Sequence, residues 1–358
     1  MGAGPHGSGA IVDFGYFPWC RVSHVSSPLV SLKLDLPLHT VAGEPAEAAR
    51  VLAASGVSGA YSFEGPNDVF VPLIRAAGAD IDLYSNIAVS FPRSPVHLAH
   101  MAWELQQLTG GRFMLGLGSQ IKPHIERRYG AAFDRPAERM ADQVDAIRAV
   151  FAAWQDGVAL NHDGPFWKLD LMPPLFNPGP LEWGPPPILV AAVGPLMTAA
   201  AADHADGILL HPFSSERFVQ ERSIPQIVAC APRDDFVVIG GAIAAIGSDW
   251  VSQADADEAA RGLVAFYGST PAYRPVLDIE GHGELQPELR RLSKENRWDE
   301  MSRLIDDTVL DAVVVRGSAT EVAAKLRARF DGVAQRVAVT VPHGLDPATI
   351  KELTDSLG

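Results

Sequence analysis

The sequence predicts an α/β protein built as one closed (β/α)₈ barrel, and three observations carry that prediction. Short apolar segments alternate with helical-period segments along most of the chain, and glycines and prolines gather where the apolar segments end. Eight segments of strand type begin at Ser31, Ala60, Asp82, Arg112, Ile188, Gly207, Phe236 and Arg336. Strands that are apolar without alternation are buried on both faces, as in a parallel sheet wrapped by helices, and eight of them close into a ring more naturally than they spread into an open sheet. A length of 358 residues suits one such barrel with insertions.

Taken in order, residues 1–30 are rich in Gly, Ser and Pro with little periodicity and read as a disordered extension outside the fold. The barrel domain is expected over 31–345. Strand Ser31–Leu36 is followed by helix Pro45–Ser55, a strand ending at Tyr61–Glu64, helix Asp68–Ala77, strand Asp82–Phe91 and helix Pro95–Thr109. Strand Arg112–Gly118 then leads to a long helix, Pro136–Trp154, whose Val144, Ile147, Val150 and Phe151 recur at helical spacing. The Pro/Gly/aromatic stretch Asp156–Pro187 interrupts the alternation between the fourth unit and the fifth strand, and is expected as an insertion beside the active site. Its Phe166, Trp167, Met172, Phe176 and Trp183 suggest an apolar wall.

Strand Ile188–Val193, helix Leu196–His204, strand Gly207–His211, helix Ser215–Cys230 and strand Phe236–Ile246 follow. A mainly helical segment, Gln253–Asp306, contains the aromatic loop Tyr267–Gly283. Ala312–Val315 is an additional short strand or helix end, and helix Thr320–Phe330 and strand Arg336–Val341 complete the barrel before a tail at 346–358.

Composition excludes several classes. With 29 Lys+Arg against 43 Asp+Glu, the formal charge of −14 repels polyanions and argues against a nucleic-acid surface. Cys20 and Cys230 lie outside any disulfide framework or zinc-ligand spacing, so no metal is expected and a reducing cytoplasm fits. The start lacks a signal-peptide pattern, and no apolar stretch approaches a membrane span.

In a barrel of this kind chemistry gathers where strands end, so those residues are the candidates. Gly194-Pro195 stands between an apolar strand and an Ala-rich helix; an isolated Gly-Pro only starts a helix, but its place late in the barrel favours a phosphate held by the free N–H groups there. On the fourth strand, GGRFMLGLGSQ, Gly116 and Gly118 mark either a bend or a place where a flat ring meets the backbone, with Ser119 beside it. Glu64 and His211 end the second and sixth strands. Lys122, His124, Arg127 and Arg128 form a basic cluster after the fourth, either a helix surface or an anion site.

The segments FPRSP, GGRFMLGLGSQIKPHIERRYG, FNPGPLEWGPPPILVAAVGPLMT, ADGILLHPF and FYGSTPAYRPVLD together resemble the luciferase-like monooxygenase superfamily, and specifically its F420-dependent oxidoreductase branch of actinobacterial type. The likeness runs from about Ser31 to about Val341, and residues 1–30 have no counterpart in it. It implies a TIM barrel with an isoalloxazine-type ring at the C-terminal mouth. It also implies a bulged third strand, here Ala88-Val89-Ser90, with a non-prolyl cis bond expected at Ala88–Val89. The cofactor phosphate would lie near Ala192, Val193 and Gly194, and Glu64 matches the acidic residue that ends the second strand.

The function so implied is hydride transfer between coenzyme F420 and an organic substrate, with Glu64, His124 and His211 as the proton-donor candidates. An FMN-dependent monooxygenase using reduced flavin and oxygen is the alternative, and a non-catalytic cofactor-binding barrel a second. Lys122, Arg127 and Arg128 are possible partners for the carboxylate tail of F420. A homodimer is a further implication of the family.

Overall fold

The apolar segments pair as parallel strands that close on themselves. A computed structural model describes residues 32–358, so the extension expected at 1–30 falls outside the described residues. In chain order the barrel strands are β1 (Lys33–Pro37), β2 (Gly59–Ser62), β3 (Asp82–Ser85), β4 (Phe113–Gly118), β5 (Ile188–Ala192), β6 (Gly207–Leu210), β7 (Val237–Ile246) and β8 (Arg336–Thr340). Each pairs with the next: Asp35 lies opposite Gly59, Gly59 opposite Asp82, Leu83 opposite Phe113 and Leu115 opposite Ile188. Leu189 then faces Gly207, Gly207 faces Val237, Ile239 faces Arg336, and the Lys33–Arg336 pair seals the ring.

Two short strands are added outside this ring. Ala88–Val89 pairs with Leu117 and Gly118, and Val314–Gly317 lies along Ile243–Ile246, the far half of β7. The second is the additional element expected at Ala312–Val315, shifted because helix Asp307–Val313 runs up to its first residue.

Side chains on one face of each strand fill the ring. Tyr61, Tyr84, Leu189, Leu209, Ile239 and Ala338 form a buried interior cluster, so the barrel has a packed core. Towards the strand N-termini the same faces carry charge. Arg336 donates to both carboxylate oxygens of Asp35, at 2.8 and 2.7 Å, and to Asp82 at 2.7 Å, while the Tyr84 hydroxyl donates to Asp35 at 3.0 Å. Burial pushes the Asp35 carboxyl up, and these donors oppose it. Gly59 makes the pairing possible, since a Cβ there would stand 2.4 Å from a guanidinium nitrogen of Arg336.

The helices wrap this ring, and Trp103, Phe151 and Trp154 lock helix Pro95–Leu108 to helix Pro136–Gln155. The insertion 156–187 packs on the outside of this pair. Its hairpin is held by buried Asp142, which accepts from Phe166 N–H, Trp167 N–H and His162 Nε2 at 2.8–3.0 Å. Gln155 and Gln106 fix Leu181 and Gly184 further along. Residues 346–358, read from sequence as a tail, instead form helix Pro347–Leu357, capped by Asp346, with Ile350 and Leu353 fully buried. Among the described residues no helix is long and apolar enough to cross a membrane.

Candidate active site

The C-terminal mouth of the barrel is organised first by Glu64, just past β2. One oxygen of its carboxylate accepts from the Val89 N–H at 2.8 Å and from Arg93 at 2.6 Å, and the other accepts from the Tyr129 hydroxyl at 2.9 Å. Arg93 also donates to the Val89 carbonyl at 2.9 Å and to Asp68 at 3.0 Å. Burial would lower the Arg93 pKa, but its bonds to Glu64 and Asp68 raise it, so the guanidinium keeps its charge. Glu64 therefore clamps the segment after β3, and its acceptor sites are engaged by protein donors.

That segment is bent as the sequence implied, but the cis peptide lies at Asn86–Ile87 and not at Ala88–Val89. Ala88 and Val89 have resumed strand pairing with β4, and Ser90 N–H donates to the Gly118 carbonyl at 3.0 Å. Gly118 does not leave room for a ring here. A Cβ on it would meet the Ile87 side chain at 2.6 Å, so the glycine accommodates the residue that follows the cis bond. Gly116 serves a similar end, for its Cβ would collide with the Ser85 carbonyl, and Ser85 Oγ bonds both its N–H and its C=O. Ser90 is fully buried and its hydroxyl has no partner among the described residues.

Across the mouth, Gly194 caps helix Pro195–His204. Its carbonyl accepts from the N–H and the hydroxyl of Thr198 at 3.0 and 3.1 Å, which closes the first turn; Pro195 has no N–H, and those of Leu196 and Met197 precede the first intrahelical bond. A Cβ on Gly194 would meet nothing within 4 Å, so the space before this helix start is open, as a phosphate site requires. Ala192 is buried and Val193 half-buried just beneath.

His211 ends β6 in a different environment. Its ring stacks on Tyr273 with centroids 4.2 Å apart and takes the edge of Tyr267 at 4.8 Å. Burial lowers its pKa from 6.5 to about 3, so the imidazole is neutral at physiological pH. The two tyrosines come from the segment between β7 and the added strand Val314–Gly317. The insertion 156–187, expected to supply the apolar wall, is tied through Asp142 to helix Pro136–Gln155, and its Phe166 lies against Arg135 and Arg139, the latter also covering Phe91 just past the bulge.

His124, on the short helix Lys122–Arg127, is half-buried with Nδ1 enclosed and unpartnered, and burial and Arg128 lower its pKa. The cations around it are partly engaged: Lys122 faces Glu126 at 3.5 Å and Arg128 donates to the Gly65 carbonyl at 2.6 Å. Arg127 has no ion-pair partner among the described residues.

Two histidines not singled out from sequence also stand at strand ends. His39 follows β1 and meets Phe63 edge-on at 5.3 Å, and desolvation lowers its pKa. His343 follows β8, bonds the Ile246 carbonyl through Nε2 at 3.1 Å, and has its pKa lowered by burial. Gly344 joins these ends, its Cβ position lying 3.2 Å from the Thr40 carbonyl and 3.9 Å from the exposed Trp250. Placement at a strand end, the criterion that picked out His211, was the signal available for both.

The family model for luciferase-like monooxygenases matches residues 36–336, which spans the barrel from β1 to the start of β8. The chain belongs to this family. Among its relatives, the protein "Uncharacterized protein Rv1360" of Mycobacterium tuberculosis is 42% identical over 313 residues, covering 86% of this chain and 92% of that one. A 5,10-methylenetetrahydromethanopterin reductase of Archaeoglobus fulgidus is 27% identical over 263 residues, 71% of this chain and 74% of that one. The solved structure of a coenzyme F420-dependent tetrahydromethanopterin reductase from Methanopyrus kandleri superposes with a TM-score of 0.74 at 20% identity, covering 91% of this chain and 98% of that one. Monooxygenases of solved structure, one in complex with FMN, share the fold as well. This luciferase-like barrel thus sits in a family linked both to F420-dependent reductases and to flavin-dependent monooxygenases.

Proposed function

We propose that this luciferase-like chain is an F420-dependent oxidoreductase that moves a hydride between the deazaflavin coenzyme and a small organic substrate. The observation that carries the proposal is the pairing, on two sides of one mouth, of a rigid bulge with an open helix start. Glu64 and Arg93 hold Val89 from both its N–H and its C=O, so the backbone of Ala88–Ser90 is fixed before any ring reaches it. The open space at Gly194 suits a phosphate. Deazaflavin has carbon at the position of the flavin N5, so it supplies hydride chemistry and activates oxygen poorly. The reductase names among the relatives favour F420 over FMN.

In this reading Ala88, Val89 and Ser90 support the ring, Gly118 and Ser119 support the bulge from β4, and Ala192, Val193 and Gly194 bind the phosphate. Arg127 is the cation best placed to meet an anionic tail. His211, neutral and bearing a proton, is the foremost hydrogen-bond donor for the substrate, with His124 a second. Glu64 acts as a positioning residue, because its oxygens are already bonded. A homodimer in the cytoplasm completes the proposal.

Titration of the purified full chain with F420 and with FMN, followed by absorbance, tests the cofactor. Tighter binding of F420 is expected, and tighter binding of FMN would overturn the choice. Reduced F420 bound tightly but never reoxidised by any carbonyl compound in a broad panel would favour a non-catalytic barrel.

A further inference from the structure

We propose that His211, Tyr267 and Tyr273 form the substrate-recognition pocket, built for the oxygen of an uncharged carbonyl compound with a flat apolar body. That the ligand is the substrate rests on the oxidoreductase reading above; the pocket itself rests on geometry. His211 is fixed on three sides. Tyr273 covers a face, Tyr267 meets it edge-on with the planes at 87°, and the Phe213 N–H donates to Nδ1 at 3.1 Å. An imidazole that accepts at Nδ1 while neutral carries its proton on Nε2. Among the described residues Nε2 has no protein partner, and it is not among the enclosed polar atoms. It is therefore a donor without an acceptor, open to a ligand.

The backbone beneath is equally constrained. Gly241 on β7 lets the end of β6 press against it, since a Cβ there would lie 2.2 Å from the Leu210 carbonyl and 2.8 Å from His211. The two tyrosine hydroxyls also lack protein partners among the described residues and are not enclosed. Burial raises both, Tyr267 to about 12, so both stay protonated. Tyr61, raised first by burial and also by nearby Tyr267, bonds Val339 and Thr340 at the end of β8, which places the box over the barrel interior.

Three protonated, uncharged donors carried on a cluster of three packed aromatic rings discriminate by chemistry. A carbonyl oxygen accepts from such donors at little desolvation cost, whereas a carboxylate or phosphate would enter without a compensating cation. Aromatic faces and edges add contact area for a flat body.

The test uses the full chain without cofactor, labelled with ¹⁵N-histidine, with acetophenone as probe and ethylbenzene as its hydrocarbon counterpart. Long-range ¹H–¹⁵N spectra should show His211 as the neutral Nε2–H form from pH 5 to 8, with its Nε2 resonance moved by acetophenone. His211→Phe keeps the stacking and removes the donor. It should weaken acetophenone about tenfold, the size of one lost hydrogen bond, and leave ethylbenzene unchanged. Tyr267→Phe with Tyr273→Phe removes only the hydroxyls and gives the same contrast should the histidine variant not fold. An Nδ1–H tautomer, a charged ring at pH 6, or equal loss of ketone and hydrocarbon would overturn the proposal. F420 binding is measured separately, so failure of the pocket leaves the cofactor assignment standing, and the reverse.

Discussion

The Phe213 amide donates to Nδ1 of His211, two residues earlier, and the turn at the end of β6 thereby sets which nitrogen of that ring holds its proton. The same site makes stability depend on pH. In the unfolded chain His211 titrates near 6.5 and in the folded protein at about 3, so between these values the unfolded state binds the extra proton. The contribution is whole above the unfolded value and is lost as pH falls towards the folded one, at up to about 1.4 kcal/mol per pH unit. Urea midpoints from pH 7.5 to 4.5 should fall more steeply for the wild type than for His211→Phe, with parallel curves the contrary result.

Ile87 and Gly118 are matched across two strands. Gly118→Ala should cost about 1–3 kcal/mol by overpacking, because its methyl would stand 2.6 Å from Ile87. Ile87→Ala in the same chain should recover most of that loss. Chemical denaturation of the two single variants and the double variant measures the coupling; additive losses would mean that the clash is relieved elsewhere.

Glu64→Ala should free the Val89 N–H and leave Arg93 without its main carboxylate, for a loss of about 1–3 kcal/mol. The sharper readout is local. Hydrogen exchange at the Val89 amide should accelerate more than at Leu117 in β4, and an unaltered Val89 rate would show that Glu64 does not hold the bulge.

Gly194→Val should weaken cofactor binding at least tenfold while stability stays within about 0.5 kcal/mol, since the new side chain projects into open space. Calorimetric titration alongside a melting curve checks both halves. Full cofactor affinity in a stable variant would move the phosphate elsewhere.

The barrel was legible because each strand is an apolar run between glycines and prolines, and that pattern survives without knowledge of its neighbours. The pocket around His211 was not, since Tyr267 and Tyr273 reach it from a helical segment more than fifty residues downstream. The cis bond lies two residues before the position that the family resemblance implies, and an Asn-Ile peptide carries no compositional mark of its isomer. What anchors the insertion 156–187 is not legible in its own residues, since Asp142, a buried acceptor on a helix flank, satisfies the hairpin's N–H groups. The helix at 347–357, which takes the place of the expected tail, has a visible signature in Asp346-Pro347 followed by Ile350, Leu353 and Leu357.

Arg336 and Asp35 are partners separated by 301 positions. During synthesis the first strand emerges long before its guanidinium exists, and every intermediate length of chain must keep the Asp35 carboxylate hydrated. Ring closure is thus tied to completion of the polypeptide: a truncated product ending before β8 carries an unmatched acid in what should be dry interior, which marks it as unfinished and leaves it open to proteases.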